Sequence, residues 1–332
     1  MTTSKYWIKP TLLVVLAALV LHLVLIQPNH PAAVSWRALL LFPLELPAVI
    51  LALIALGRGA VGTVFRVVLV AALTLIATLK AADFGMFVAL NRGFNPVADL
   101  PLILSFHQLL VGAIGPFAAV LASIGAALAV IGMAAALWWA SGVWAGVPRG
   151  MPLALGAGAL AIVGGGLAAA EVRSVMGKGG MAVSLPGTAF TARVGVERYE
   201  MVRDTLTKLQ AFREAAADDP FANQTGVFNA VDRDVFVIFV ESYGRTSFDT
   251  PFYSDLHLET LRAAQSRLEG LGLTLASTFL SAPTQGGQSW LSHASVANGL
   301  WVDNQNSYRA MLGSGRRTLF HLAADAGFHT AA

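Results

Sequence analysis

The chain has 332 residues, of which 56% are hydrophobic and only 12% are charged, whereas soluble domains carry about 25% charged residues. This composition excludes a disordered protein and argues against a wholly soluble one. The absence of cysteine excludes disulfides, cysteine-ligated zinc, iron–sulfur clusters and thiol nucleophiles. No basic stripe is present, so we expect no nucleic-acid partner.

Charge is distributed unevenly along the chain. Residues 1–170 hold 3 of the 19 acidic and 8 of the 22 basic residues. The first half is therefore typical of a membrane domain, and the second half of a domain in water.

Five apolar runs in the first half predict a five-helix transmembrane domain over residues 1–170. Four of them are close to the length of about 20 residues that a helix needs to cross the hydrocarbon core, and the fourth in chain order is longer. They cover residues 11–27, 38–56, 60–79, 112–140 and 152–170.

The basic residues predict the orientation of these spans. We place four of them in the cytoplasm: Lys5, Lys9, Arg58 and Arg149. Lys80 and Arg92 then lie outside, in a loop over residues 80–111. An odd number of spans predicts a multi-pass protein of the inner or plasma membrane, with residue 171 onward on the extracytoplasmic (periplasmic) side.

Residues 100–147 leave an alternative open, because they are long enough for two spans broken at Gly115–Pro116. Two spans would place the second half in the cytoplasm. We favour a short interfacial helix followed by one long span.

Two charged residues, Glu45 and Arg66, fall inside predicted spans. Intramembrane charges are costly and often functional. We favour a structural role, in which Arg66 extends towards the interface and Glu45 pairs with it or is protonated. The alternative is a transport or lipid-handling path.

The second half begins with a juxtamembrane segment over residues 171–230, which contains an amphipathic helix at 195–216. From residue 231, apolar strand-like runs alternate with helical patterns, which predicts an α/β domain with a largely parallel sheet. The predicted strands are 234–240, 273–281 and one starting at 327; the predicted helices are 256–270, 289–299 and 315–326.

Two and a half strands do not complete a parallel sheet, which needs both faces covered. We therefore expect the chain to be a fragment of a longer protein and inactive by itself. The alternative is a small complete domain whose last strand lies at an edge.

Two residues follow the predicted strands where ligands of α/β sheets bind. Glu241 ends the first run and could hold a divalent cation or cap a turn. Ser289 begins the helix after the second run, where a hydroxyl could be a nucleophile near bound phosphate or an ordinary helix cap. Thr284 is a competing nucleophile, but it precedes the predicted helix by five residues.

Taken together, FVESYG after one strand and PTQGGQSWLSH after the next resemble the alkaline phosphatase superfamily. The likeness is to its membrane-anchored sulfatase-fold branch, which includes lipoteichoic acid synthases and phosphoglycerol or phosphoethanolamine transferases. The motifs lie within residues 234–332, whereas the layout of spans followed by an external domain covers the whole chain.

The resemblance implies that Glu241 binds a divalent metal ion (Mn, Mg, Zn or Ca) and that Ser289 is both nucleophile and metal ligand. The remaining ligands would lie beyond residue 332. Leu291 and His293 stand where a formylglycine motif needs Pro and Arg, which favours phosphoryl transfer. His293 and Trp301 are candidate substrate contacts.

We therefore expect a membrane-bound phosphoryl or phosphoglycerol-type transferase or hydrolase acting on lipid-linked phosphodiesters. Membrane lipid headgroups would be the donor, and a glycan or lipid the acceptor. The alternatives are a sulfuric ester hydrolase of the same fold, a non-catalytic envelope protein, or a transporter using Glu45 and Arg66.

Overall fold

The structure is a computed structural model that describes residues 4–179, 186–240, 243–284 and 287–331, with side chains from residue 11 onward. The chain divides into two compact units, Met1–Lys208 and Leu209–Ala332. Within the described residues the secondary structure is α-helical, apart from two short 3-10 turns and one isolated bridge.

The first unit contains six helices and the beginning of a seventh. They are α1 Ser4–Ile26, α2 Glu45–Leu56, α3 Ala60–Leu90, α4 Leu102–Ile114, α5 Pro116–Ala145, α6 Met151–Val175 and α7 Phe190–Ala217. Gly57 and Gly115 end α2 and α4 at positive φ (63° and 83°), which glycine adopts without steric cost. Pro116 then starts α5 at the first helical position, where its missing N–H is not needed.

Among the described residues, three helices are long and apolar enough to cross a membrane: α3, α5 and α6. This supports a membrane protein, and the three helices overlap the third, fourth and fifth predicted spans. The first predicted span lies almost wholly within α1, and the second ends in α2, which is a shorter apolar helix. Twelve residues of α2 rise only about 18 Å.

The apolar core of this unit is formed by α1, α2, α3 and α5. Its buried members are Ala17, Leu21, Leu25, Leu53, Leu73, Leu137 and Ala140. Helix α6 packs on α2 through glycines: a Cβ at Gly164 would lie 3.3 Å from the Cβ of Ala48. Small residues allow such close approach of helices.

One end of the bundle, which we call the arginine end, carries Arg58 and Arg149. Arg58 donates to the carbonyl of Gly142 (3.1 Å) near the end of α5, and Arg149 donates to the carbonyl of Leu56 (2.8 Å) at the end of α2. Helix C-termini carry partial negative charge, which attracts cations. No Asp or Glu occurs in residues 46–82 or 100–170, so this end is strongly basic.

The opposite end, which we call the mixed-charge end, is defined by Glu45, Lys80, Asp83, Glu171 and Arg198. From Ala60 to Lys80, α3 rises about 30 Å, which equals the thickness of a hydrocarbon core. The two charged ends are therefore spaced as two membrane surfaces would be.

Lys80 was predicted to lie in an external loop, and that prediction is wrong. Helix α3 continues to Leu90, and Lys80 is fully buried. Its Nζ donates to the carbonyl of Leu25 (3.1 Å) and to Thr191 Oγ1 (2.7 Å). These two acceptors take hydrogen bonds from the Lys80 ammonium. They allow α3 to continue past a buried charge.

Helices α4 and α5 form a hairpin about Gly115. His107 Nδ1 and Ser123 Oγ, eight residues to either side of that glycine, lie 3.2 Å apart. The prediction of a short helix followed by one long helix in residues 100–147 is confirmed.

The second unit contains the end of α7 and five further helices: α8 Thr246–Asp249, α9 Pro251–Gly270, α10 Ser289–Asn298, α11 Gln305–Leu312 and α12 Leu319–Asp325. Leu291, Ala294 and Val302 form its buried apolar cluster, against which Phe212, Tyr308 and Met311 pack. The predicted helices of this half are confirmed, and α11 is a further helix that the sequence pattern did not indicate.

The predicted α/β domain is wrong for the described residues, which contain no strand. Residues 234–240 and 274–281 have no regular secondary structure and make no backbone hydrogen bond to another described segment. Phe236 and Ile238 are more than 80% exposed, whereas the prediction had this run buried on both faces. A strand exists only through pairing with a neighbour, which an apolar β-branched run does not supply by itself.

The first and third predicted strands approach each other without pairing. Residues of both, Val235 and Phe236 from one and His329 and Thr330 from the other, line a cavity of about 310 Å³. The isolated bridge of the structure lies elsewhere, between Pro43 and Thr188.

Candidate functional site

The predicted nucleophile, Ser289, is the first residue of α10. The preceding residues Gly287 and Gln288 both have left-handed backbones (φ 74° and 60°), which turn the chain sharply into the helix. Gln288 occupies the cap position and its side chain makes no capping hydrogen bond. The first N–H groups of α10 therefore lack this usual partner, and the Ser289 hydroxyl does not hold the cap position.

Thr284, the competing nucleophile, contacts the same helix. Its Oγ1 lies 3.0 Å from Ser292 Oγ, within hydrogen-bonding distance. Because Ser292 is in the first turn of α10, this contact brings the start of the Pro/Gly-rich loop back against the beginning of the helix. Two hydroxyl-bearing residues, Thr284 and Ser289, are thus close to one helix N-terminus.

His293, a predicted substrate contact, packs against the first extended run. Its ring centroid is 4.1 Å from that of Phe239. His293 lies one turn after Ser289, so the two side chains project from the same face of the helix. The contact places the end of run 234–240 beside the N-terminal half of α10.

Trp301, the other predicted substrate contact, is 55% exposed in the segment between α10 and α11. Its neighbour Val302 is fully buried, and the Val302 N–H donates to Ser295 Oγ (2.9 Å). The backbone here is fixed to α10, and Trp301 is presented to solvent. No described contact joins Trp301 to Ser289 or His293.

Glu241, the predicted metal ligand, lies outside the described residues. Among the residues that are described, no three His, Cys, Asp or Glu side chains could hold a metal ion together. Ser289 is therefore the one predicted ligand with a described position, and one hydroxyl does not provide the several oxygen ligands that hard cations require. The described residues alone therefore do not form a metal site.

Arg316 fixes the other end of α10. Its Nε donates to the carbonyl of Asn298 (2.9 Å), and its guanidinium also donates to the carbonyls of Ala215 (3.2 Å) and Asp218 (2.7 Å), around the end of α7. One cation thus satisfies carbonyls at the C-terminal ends of two helices.

Asp219 holds the neighbouring segment. Its carboxylate accepts hydrogen bonds from the backbone N–H groups of Arg317 and Phe221 (both 3.0 Å). The hydrogen bond from Arg317, with that from Phe221 and the charges of Arg316 and Arg317, lowers the pKa of Asp219 below its ordinary value.

The sequence did not predict the polar contacts that connect the residues of the mixed-charge end. Asp83 is fully buried, forms an ion pair with Arg198, and accepts from the N–H of Phe94 (2.8 Å). Glu45 and Glu171 accept from the N–H groups of Ala192 (2.9 Å) and Ala189 (3.1 Å), where α7 begins. The available signal was the pair Lys80 and Asp83, one helical turn apart at the end of an apolar run.

The two charges predicted to lie within spans have structural partners. Arg66 donates to the carbonyl of Trp138 (2.9 Å) and to Ser141 Oγ (3.2 Å), and its guanidinium lies 4.0 Å from the centre of the Trp138 ring. Glu45 contacts the start of α7 and not Arg66. The contacts of Arg66 account for its position, whereas Oε2 of Glu45 is buried with no hydrogen-bond partner among the described residues.

Comparison with protein-family models, with curated proteins and with solved structures finds no match to this chain.

Proposed function

We propose that the protein is a membrane-bound transferase or hydrolase of lipid-linked phosphodiesters, with Ser289 as its nucleophile. In this proposal the bundle lies in the inner or plasma membrane with its arginine end in the cytoplasm, as expected for basic residues near span ends. Residues 209–332 lie on the other side and act on lipid headgroups there, passing the phosphoryl group to a glycan, a lipid or water.

The observation that carries the proposal is the contact between Phe239 and His293. It brings the chain, two residues before Glu241, against the helix turn that follows Ser289. Phosphoryl transfer through a covalent intermediate requires a nucleophile and a group that activates it, and in this proposal Ser289 and Glu241 are the candidates for these two roles. The resemblance of the two flanking motifs to the sulfatase-fold branch supports the same chemistry.

The start of α10 also suits the substrate. Free N–H groups and the positive end of the helix dipole favour a phosphate group. A phosphodiester bound there would place its phosphorus next to the Ser289 hydroxyl. Attack by Oγ would form a phosphoserine ester and release the lipid alcohol, while His293 contacts the phosphate oxygens from one turn farther along the helix.

A divalent ion shared by Glu241 and Ser289 remains part of the proposal, although the steps above do not depend on it. Metal dependence is tested separately, by assaying turnover with Mn²⁺, Mg²⁺, Zn²⁺ or Ca²⁺ and after chelation. Strict dependence on one ion would support that ligand pair.

The proposal is tested by turnover of headgroup-labelled phosphatidylglycerol in membranes that contain the protein expressed from its complete reading frame. We expect Ser289→Ala to lower turnover by about 10³-fold or more, since loss of a nucleophile leaves only binding effects. Ser266→Ala, which removes an exposed serine hydroxyl on α9, serves as the matched control and should retain most of the activity.

Two outcomes would contradict this assignment. Full activity in Ser289→Ala would exclude Ser289 as the nucleophile, and loss of activity in Thr284→Ala alone would transfer the role to Thr284. Protein amount and helix content, measured for each variant, separate loss of chemistry from loss of folding.

A further inference from the structure

A groove of about 480 Å³ runs along the surface of the bundle between α3 and α5. Its walls are six residues of α3 between Val67 and Thr78, and Val130, Ala134 and Trp138 of α5. Val67 and Leu75 are more than half exposed, so the groove opens outward. Both helices are long and apolar enough to cross a membrane, and this surface would therefore face lipid.

The groove covers one half of the membrane depth. From Val67 to Thr78, α3 rises about 16 Å, half of a hydrocarbon core of about 30 Å. Thr78 is two residues before Lys80 at the mixed-charge end. The groove therefore extends from the middle of the bundle to that end, which is the depth of one lipid leaflet.

The inner limit of the groove is the indole of Trp138. Arg66 holds this residue in place by donating to its carbonyl (2.9 Å) and packing against its ring. A helix that crossed the whole membrane would need a groove along the full depth of the bundle. A single acyl chain needs only the leaflet depth that this groove provides.

The outer limit of the groove leads to polar groups. Ser123 lies seven residues before Val130 and so projects from the same face of α5, about 10 Å nearer the hairpin turn. Ser123 Oγ is within hydrogen-bonding distance of His107 Nδ1 on α4 (3.2 Å). An apolar groove with a hydroxyl and an imidazole about 10 Å beyond its last lining residue on α5 matches a lipid, with its chain inside and its ester and headgroup outside.

We propose that this groove binds one acyl chain of a membrane phospholipid, drawn from the leaflet at the mixed-charge end, with the polar part of the lipid directed towards His107 and Ser123. The site involves none of the residues around Ser289, so it is independent of the proposed function. The groove recognises the phospholipid by its acyl chain and by the depth in the membrane at which its glycerol ester lies.

The test uses the full chain reconstituted into phosphatidylethanolamine and phosphatidylglycerol vesicles, with a trace of phosphatidylcholine carrying a photoactivatable diazirine. Two probes are compared, one with the diazirine near the acyl carbonyl and one with it near the terminal methyl. After illumination, mass spectrometry locates the attachment points. We expect the carbonyl probe to label residues around Thr78 and Val130, and the methyl probe residues around Val67 and Trp138.

Two variants that fill the groove from opposite walls, Ala134→Phe on α5 and Ala71→Phe on α3, should abolish this labelling. Ala135→Phe adds the same side chain at an exposed neighbouring position outside the groove and should leave the labelling unchanged. Circular dichroism and size exclusion show which variants fold, and one folded groove variant suffices for the comparison.

Three results would overturn the proposal. They are equal labelling of every exposed face of the bundle, a reversed order of the two probes along α3, and cross-linking of two chains through the groove in place of lipid labelling. The last result would assign the groove to a second copy of the chain.

Discussion

Polar side chains of this protein are placed mainly by helix ends. Arg58, Arg149 and Arg316 donate to carbonyls near helix C-termini, and Glu45 and Glu171 accept from N–H groups where α7 begins. In each case the charge of the side chain is opposite in sign to the partial charge of the helix end that it contacts, which is favourable. Ser289 stands at such an end without holding the cap position, which is why we interpret it as available for chemistry.

The lowered pKa of Asp219 predicts how the free energy of unfolding depends on pH. Because its folded pKa lies below the ordinary 3.8, the ionised form stabilises the folded protein. This stabilisation is complete at pH values above the unfolded pKa and is lost as the pH falls through the folded pKa. Asp219→Asn should lower the free energy of unfolding at neutral pH by up to about 1 kcal/mol, a small effect because the carboxylate is partly exposed.

This is measured by chemical unfolding of the wild type and of Asp219→Asn between pH 2 and pH 6. The difference in the free energy of unfolding between the two proteins should shrink as the pH falls below the ordinary pKa of the Asp219 carboxyl. A constant difference over the whole range would show that the Asp219 carboxylate does not contribute through its charge.

At the scale of helices, the mixed-charge end attaches α7 to α3. The Asp83 carboxylate, fully buried, is the acceptor for Arg198 of α7 and for the N–H of Phe94. Asn95 Nδ2 adds a hydrogen bond to Thr205 Oγ1 (2.9 Å), about two turns farther along α7. The first part of α7 is therefore held to the bundle by buried polar contacts.

We predict that Asp83→Ala destabilises the first unit by about 3–5 kcal/mol, because it leaves a buried guanidinium without its partner. Asp204→Ala removes a carboxylate whose ion pair with Arg203 is largely exposed, and should cost less than about 1 kcal/mol. Thermal unfolding in detergent, followed by circular dichroism, compares the two. Equal effects would contradict the burial of the Asp83 pair.

The helices show what could be predicted from sequence. The starts of α10 and α5 coincide with local signals, namely a Gly-rich loop before Ser289 and a Gly-Pro break before α5, although the predicted span 112–140 begins four residues before α5 and ends five residues before its end. The end of α3 could not be predicted, because the partners of Lys80 and Asp83 include residues 191 and 198, more than a hundred positions away. The predicted strands were wrong for a related reason. The run 234–240 has the composition of a strand, but no described segment pairs with it.

At the scale of the whole molecule, the distribution of charge between the two ends of the bundle predicts its orientation. The arginine end should face the cytoplasm. The sequence contains no cysteine, so single cysteines can report accessibility without background. Gly59 and Gly270 are suitable positions, because a Cβ at either would meet no other atom within 4 Å.

In intact cells, a membrane-impermeant maleimide should label Gly270→Cys but not Gly59→Cys. After the cells are permeabilised, it should label both variants. The opposite pattern would place residues 209–332 in the cytoplasm and would exclude action on the outer leaflet. Labelling of both in intact cells would contradict a bundle that crosses the membrane between them.

The most direct test of the catalytic assignment is to isolate the covalent intermediate. The protein from the complete reading frame is mixed with phosphatidylglycerol, quenched in acid within the first turnover, and digested for mass spectrometry. We predict a phosphoglycerol group on Ser289, present in Ser266→Ala and absent from Ser289→Ala. Turnover without any modified serine at position 289, or with the group attached at Thr284, would contradict the account.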